Sequence, residues 1–305
     1  MKLFDLRSNS PFAQELAKLI NVPALPVEKK IFPNQEVYVR LTEEPKGEDV
    51  ILVGTSYPNP NDRFFELFLA VDAAKRSGAS SIKAFIPYMA YGRQDRKQRV
   101  GESVSALVIA TALAAAGLDE LYVADYHNPD LIYDMPIRTH NLMTARLIGE
   151  YLRNKHDLHD PVIIVPGAKS LEGKYLTRAK EAAIGAGSSY YTGYLKERNS
   201  VTGEVRTQKR KVGVKGKDVI VIDDEISTGG TVINALSMLQ EEEPSNIYVG
   251  CTHGIFANDS LDKIRSMGVS DIVSTDSIPS PVSEVHLAPL FKNVALDQTA
   301  EQRQN

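Results

Sequence analysis

Short hydrophobic runs alternate with amphipathic stretches along almost the whole chain. Strands are predicted at Val37 to Leu41, Val50 to Gly54, Ile82 to Ile86 and Leu121 to Ala124 in the first half. The second half continues with Val162 to Val165, Ser189 to Leu195, Val219 to Ile222, Ile247 to Thr252 and Asp271 to Ser274. Helices are predicted at Asp62 to Arg76, Ser103 to Ala116 and Leu142 to Tyr151, then near Tyr175 to Ala183, Thr231 to Leu239 and Asp259 to Met267. Strands alternating with helices of about 10 to 15 residues imply mostly parallel sheets flanked by helices, an α/β fold with right-handed crossovers. The polar segment Asn154 to Pro161 predicts a boundary between domains 1–153 and 154–305, with His156 and His159 as solvated linker residues. Both halves share one rhythm, which raises the suspicion of a duplicated domain.

Composition changes this picture little. A chain of 305 residues can bury two cores of about 150 residues each. With 43% hydrophobic and 24% charged residues it reads as globular, and no apolar run is long enough to span a bilayer, so no membrane association is expected. The start, Met-Lys-Leu-Phe-Asp, has no signal-peptide core. A single cysteine, Cys251, rules out an internal disulfide and leaves too few thiols for a structural zinc site; a reducing cytoplasm is the expected location and the protein core the expected place of that thiol. The net charge of −4 gives no general attraction to a nucleic-acid polymer. The tail from Ala300 has no apolar anchor and is expected to fray.

The chemistry centres on residues 219–232, Val-Ile-Val-Ile-Asp-Asp-Glu-Ile-Ser-Thr-Gly-Gly-Thr-Val. A β-branched run delivers Asp223 and Asp224 to the carboxyl end of a parallel strand, where open α/β sheets bind ligands. Ser227, Thr228, Gly229, Gly230 and Thr231 then supply hydroxyls and unshielded backbone amides, and the following helix points its positive end at them. A Gly-Gly loop alone is ordinary structure. A phosphate cup below two carboxylates suggests a phosphosugar. The stretch resembles the phosphoribosyl pyrophosphate binding loop shared by type I phosphoribosyltransferases and ribose-phosphate pyrophosphokinases.

Other segments separate those two families. Tyr88 to Arg99 carries Arg93, Arg96, Lys97 and Arg99, with Lys83 upstream, past a predicted buried strand. It reads either as a solvated charge run or as a seat for phosphates, whose oxygens suit arginine forks. It resembles the pyrophosphokinase Tyr-x-x-Tyr-x-Arg-Gln-Asp motif, which type I transferases do not carry; the resemblance implies that Arg93 and Gln94 contact ATP. Phe32, Asn34 and Glu36 cluster about a Pro-Asn turn. The resemblance gives them the adenine pocket. Asp125-Tyr126-His127 closes a strand with a carboxylate and an imidazole two residues apart. By resemblance Asp125 and His127 place Mg2+, and His127 the nucleotide as well. Asn61 or Asp62 is expected to cap the helix that follows Thr55. Lys196 and Arg198 alternate onto one side of an extended segment. In the family such a pair closes on the transferring phosphate, so both are the expected catalytic residues.

One departure stands out: Gly167 occupies the place of an aspartate in the family's Ser-Pro-Asp-x-Gly-Gly, and Glu172 or Lys174 could take over part of its work. The resemblance covers roughly residues 1 to 291. It implies two Rossmann-like phosphoribosyltransferase-type domains, an ATP side and a ribose 5-phosphate side. It also implies Mg2+ as cofactor and a homo-oligomer, dimer or hexamer, that shares the adenine pocket between subunits. The alternatives are a non-catalytic regulatory partner of an active synthase and a type I phosphoribosyltransferase.

Overall fold

In the computed structural model, residues 1–198, 205–208 and 210–296 are described, the side chains of 196–198 and 205–207 apart. Two compact units emerge, Met1–Leu142 together with the chain from His286 on, and Met143–Val285. The first sheet contains β1 (Lys2–Asp5), β2 (Ala24–Ile31), β3 (Val37–Leu41), β4 (Asp49–Val53), β5 (Ser81–Phe85), β6 (Glu120–Ala124) and β7 (Arg138–Leu142). Their order is β3-β2-β1-β4-β5-β6-β7, parallel except for the β2–β3 hairpin. Its helices include α1 (Pro11–Leu19), α2 (Pro60–Arg76) and α3 (Ser105–Ala116).

The second unit contains α4 (Ala145–Lys155), α5 (Thr177–Ala186), α6 (Gly230–Gln240) and α7 (Ser260–Ser266). Its strands are β8 (Val162–Ala168), β9 (Tyr190–Arg198), β10 (Val205–Thr207), β11 (Asp218–Ile226), β12 (Asn246–Gly254), β13 (Asp271–Thr275) and β14 (Ser283–Val285). The order β10-β9-β8-β11-β12-β13-β14, again with only the first edge pair antiparallel, repeats the first sheet strand for strand. The shared rhythm of the two halves is thus one topology used twice.

The expected strands and helices are all present, within a few residues at their ends. Strand periodicity explains why β11 reads as continuously apolar: Val219 and Val221 pack with Val232, Leu236 and Leu239 on one face, Ile220 and Ile222 with Ile148, Leu152 and Ala182 on the other. Each such side chain removed from water contributes about 1.5–3 kcal/mol. Elements that went unpredicted have weak patterns. β2 contains Pro26, tolerated because pairing with β3 begins only at Val27, so Pro26 has a strand partner on one side alone, and β7 is Arg-Thr-His-Asn-Leu. α2 begins at Pro60 after a left-handed Asn59 with no side-chain cap, so the cap expected at Asn61 or Asp62 is corrected; Asp62 lies in the first turn. Cys251 is buried, as its surroundings predicted.

The expected boundary between residues 153 and 154 is also corrected. It falls after Leu142, because α4 belongs to the second unit, where Gly149 meets α5 at Gly185. A Cβ on Gly149 would lie 2.3 Å from the Ala182 carbonyl oxygen, and one on Gly185 would lie 2.1 Å from that of Arg146. His156, expected as a solvated linker residue, instead hydrogen-bonds the Asp271 carboxylate at 2.8 Å and tilts against the Tyr248 ring. The His159 amide donates to Asp218 at 2.8 Å. α8 (Ala288–Leu296) returns to the first unit, with Phe291 set 5.2 Å from both Phe12 and Phe85. Residues 297–305, including the tail expected to fray, lie outside the described set.

Glu120 at the start of β6 is a polar anchor. Its Oε2 accepts from Tyr122 and His140, each at 2.8 Å, and Lys83 stands 3.6 Å from Oε1. The His140 hydrogen bond, then those of Tyr122 and the Lys83 charge, outweigh burial and hold the carboxyl at about 2.

Two outcomes follow from this packing. Gly149→Ala should destabilise the fold by about 2 kcal/mol or more in denaturant titrations, while the exposed Arg153→Ala on the same helix changes it by less than about 0.5 kcal/mol. A depressed folded pKa gives stability that is complete above the usual carboxylate value and is lost as pH falls towards 2. The stability difference between wild type and Glu120→Gln, on the order of 2 kcal/mol at neutral pH, should therefore shrink between about pH 4.5 and 2; a constant difference would exclude this role.

Candidate functional site

In a doubly wound sheet the ligand crevice opens where the connections of two neighbouring strands leave in opposite directions. In the second unit this point lies between β8 and β11, and it holds the phosphate-cup residues. β11 runs four residues further than predicted, to Ile226, so Asp223 and Asp224 sit inside the ladder, with Asp223 opposite Cys251 of β12. Both carboxylates therefore stand on a rigid strand instead of a loop. The Asp224 amide donates to Asp223 Oδ1 at 2.9 Å, and Arg178 of α5 brings Nη1 to 3.8 Å from Asp224 Oδ1. Burial, and then the neighbouring Asp224 charge, push the Asp223 carboxyl well above the usual carboxylate range, only partly opposed by Arg178. Such a pair asks for a hydrogen-bond donor such as a sugar hydroxyl.

The loop after β11 is tied from behind. The Ile226 carbonyl accepts from the amides of Ile255 and Phe256, at 3.1 and 3.0 Å. The Ser227 carbonyl accepts from the Ala257 amide at 3.0 Å and the Ser260 hydroxyl at 2.8 Å. Gly229 is left-handed (φ 76°) and precedes the first turn of α6 without a side-chain cap. A Cβ there would come within 3.3 Å of Ser260 and 3.4 Å of Ile264, whereas at Gly230 it would meet nothing within 4 Å. Gly229 thus serves the turn, and Gly230 keeps the approach to the helix amides open. The structure brings Ser227, Thr228, Gly229, Gly230 and Thr231 together beside the two aspartates, as the sequence predicted. Arg178 was not anticipated; its only signal is a cation just inside the helix after β8. The side chains of Lys196 and Arg198 lie outside the described set; their backbone forms the end of β9, where Lys196 opposes Thr207 and Arg198 opposes Val205.

In the first unit, the loops after β5 and β6 are joined. Asp125 is buried and left-handed (φ 37°), its amide bonded to the Leu142 carbonyl at 3.0 Å. The next amide, of Tyr126, donates to Asn141 Oδ1 at 2.7 Å. From this turn Asn128 donates to Asp95 at 2.7 Å, and a Cβ on Gly92 would lie 3.1 Å from the Tyr126 ring. Gln94 is held by its amide to the Tyr91 carbonyl at 2.8 Å and by the Ser105 hydroxyl at 2.6 Å. Exposed Arg93 and His127 therefore project from two loops braced against each other, with the buried Asp125 beside them. Lys83 is corrected: it lies within β5, paired with Glu120, and is no part of that basic loop. Asn128 and Tyr126, which do the bracing, were not singled out in the sequence because neither carries a charge.

Phe32, Asn34 and Glu36 occupy the exposed tip of the β2–β3 hairpin. The tip is closed by the Phe32 amide on the Glu36 carbonyl and the Gln35 amide on the Phe32 carbonyl, both at 2.8 Å. β2 stands three strands from β5, whose loop carries Arg93, and four from β6, whose loop carries His127, roughly 14 and 19 Å at about 4.8 Å per strand, so the trio lies apart from both across the sheet.

Comparison with known proteins identifies the family. The model of the N-terminal domain of ribose phosphate pyrophosphokinase matches residues 1–117, and that of the phosphoribosyl synthetase-associated domain matches residues 202–298. The chain is 37% identical to a ribose-phosphate pyrophosphokinase of Methanothermobacter thermautotrophicus, over 95% of this chain and 98% of that one. It is 38% identical to one of Pyrococcus furiosus, over 89% and 93%. The crystal structure of phosphoribosylpyrophosphate synthetase from Mycobacterium smegmatis superposes with a TM-score of 0.82, at 26% identity, covering 96% of each chain. With full-length relatives on both measures and the same paired sheets, the chain belongs to the ribose-phosphate pyrophosphokinase family.

Proposed function

We infer that this protein transfers the β,γ-diphosphoryl group of ATP to the 1-hydroxyl of ribose 5-phosphate. The anomeric oxygen attacks the β-phosphorus, the bond from that phosphorus to the oxygen bridging to the α-phosphate breaks, and AMP leaves as phosphoribosyl pyrophosphate forms. The hydroxyl proton passes to solvent or to the product phosphates. The observation that carries this reading is the Arg93–Gln94 loop braced on the Asp125–Asn128 turn, in a chain whose other unit holds the phosphate cup. A type I transferase has use for the cup alone.

In this reading Ser227 to Thr231 hold the 5-phosphate and Asp223 and Asp224 the ribose hydroxyls. Arg93, Gln94 and His127 hold the triphosphate. Phe32, Asn34 and Glu36 hold adenine, in a pocket that, as the family resemblance implies, a second copy of the chain shares. Lys196 and Arg198 stabilise charge on the phosphoryl group in transfer. The buried carboxylate of Asp125 suits a hard divalent cation such as Mg2+, and His127 suits a water or phosphate beside it better than the ion itself. When bound, the ion supplies charge neutralisation across the phosphates. The protein's own residues align a nucleophile that is already a hydroxyl. Nothing in this assignment needs a membrane or a nucleic-acid polymer, and among the described residues no helix is long and apolar enough to cross a membrane.

Gly167 favours a second reading, a nucleotide-binding partner of an active synthase without turnover of its own. Incubation with ATP, ribose 5-phosphate and Mg2+ separates the two. Stoichiometric AMP and phosphoribosyl pyrophosphate are expected, whereas ATP binding without AMP release would leave the regulatory reading in its place. Lys196→Ala is expected to lower kcat about 100-fold or more with the ribose 5-phosphate KM changed less than about threefold. Equal losses in both would remove Lys196 from the transition state.

A further inference from the structure

The carboxyl end of β12 carries a buried polar network that the proposed reaction leaves without a task. Ladder pairing of β12 with β13 stops at Cys251, opposite Ser274, whereas pairing with β11 runs on to Gly254. One residue beyond the last β13 pair, the Thr252 carbonyl accepts from two hydroxyls, Thr275 at 2.7 Å and Ser277 at 2.9 Å. The Ser277 amide in turn donates to Thr275 Oγ1 at 3.2 Å. His253 Nδ1 lies 2.9 Å from Ser277 Oγ. A hydroxyl has one proton to give, and that of Ser277 goes to a carbonyl that can only accept, so Nδ1 is the donor of this pair. On the other face of the strand the hydroxyls of Thr252 and Thr144 meet at 2.8 Å. Thr252, His253, Thr275 and Ser277 are all buried, where a satisfied network fixes one arrangement and a broken one is costly.

Beyond this network the chain turns into the back wall of the phosphate cup. Gly254 has no side chain, so His253 is the last one β12 presents before the turn. It opposes Glu225 in the β11 ladder, on the face that carries Asp223 and is covered by α6. Phe256 is left-handed (φ 47°) and packs over Gly254, where a Cβ would lie 2.4 Å from its ring. The amides of Ile255, Phe256 and Ala257 then hold the carbonyls of Ile226 and Ser227, as described above. The donors that fix the cup from behind therefore begin two residues after His253, and the pinned end of β12 is their anchor on the strand side.

We propose that His253 is a positioning residue for the phosphate cup, acting through Ser277 and the turn at Ile255 to Ala257 on the loop of Ser227 to Thr231. The inference rests on the reading of that loop as the seat of the 5-phosphate of ribose 5-phosphate.

The test follows the KM values of ribose 5-phosphate and ATP. Apart from turnover, it follows the Kd of ribose 5-phosphate by calorimetry with Mg2+ and a non-hydrolysable ATP analogue present. His253→Leu removes the Nδ1 donor with little change of volume. It should raise the KM and Kd of ribose 5-phosphate about tenfold, with kcat and the ATP KM changed less than about threefold. His253→Asn, whose amide can place an N–H where Nδ1 stands, should return both constants to within about threefold of wild type. Val249→Ala opens a cavity lower in the same strand; it should cost stability yet leave both constants within about twofold of wild type. Unchanged ribose 5-phosphate affinity in His253→Leu, an equal loss for ATP, no recovery in His253→Asn, or the same loss in Val249→Ala would each overturn the positioning role. A wild-type protein that binds no ribose 5-phosphate would overturn the reading of the cup itself, and this inference with it. Should His253→Leu fail to fold, Ser277→Ala, which removes the acceptor, takes its place with the same expected rise.

Discussion

Parallel strand pairing is the constraint on which the rest of this structure depends. Strands that run the same way need a crossover between each pair, and the crossovers cover both faces of the sheet, so the central strands must be apolar throughout. The same geometry collects every loop that follows a strand at one edge of its sheet. Asp125 follows β6, the Arg93 loop follows β5, and Ser227 to Gly229 follow β11. Polar residues can gather there without entering the core because the strands beneath them carry the burial: Val219 to Ile222 alone contribute to the core on both faces of the second sheet.

A loop at such an edge must still hold its shape against the entropy of ordering it, and the two candidate loci do so by different means. Behind the phosphate cup, backbone carbonyls of Ile226 and Ser227 are tied to residues 255–260, which leaves the amides of the following helix as what the turn can offer a ligand. The loops after β5 and β6 rely on side chains. Asn128 reaches Asp95, and the Tyr126 ring fills the space a Cβ on Gly92 would need, so the Asp125–Asn128 turn braces the loop that carries Arg93 and Gln94. The family's chemistry, alignment of a hydroxyl against a triphosphate, places its demands on such pre-set geometry more than on any single reactive group.

The repeated topology gives the first unit a switch point of its own, at the carboxyl ends of β1 and β4. A second sheet of the same strand order creates a second switch point whether or not the reaction needs it. In one unit that position holds the paired carboxylates of Asp223 and Asp224 and the loop of Ser227 to Thr231; in the other, Arg7, whose buried Nη1 has no hydrogen-bond partner among the described residues, beside the Arg63–Glu66 ion pair. The physical difference lies in which charges the loops supply.

Local pattern by itself determined the α/β alternation, the buried strands and the glycine turn at Ser227 to Thr231, because each depends on neighbours in sequence: side-chain alternation, helix periodicity, and glycine where a turn requires positive φ. The motif at Tyr88 to Arg99 was readable for the same reason, as a contiguous string. Only the tertiary structure decided what depends on contacts between distant residues. It moved the domain boundary to Leu142, since the fit of Gly149 against α5 is invisible until both helices are in place. It made β2 and β7 strands despite Pro26 and a polar sequence, since pairing with β1 and β6 supplies what propensity does not. It also drew Arg178 to Asp224 and left Arg7 Nη1 buried without a hydrogen-bond partner among the described residues, because the charge balance around a side chain belongs to the residues that surround it in space and not to those beside it in the chain.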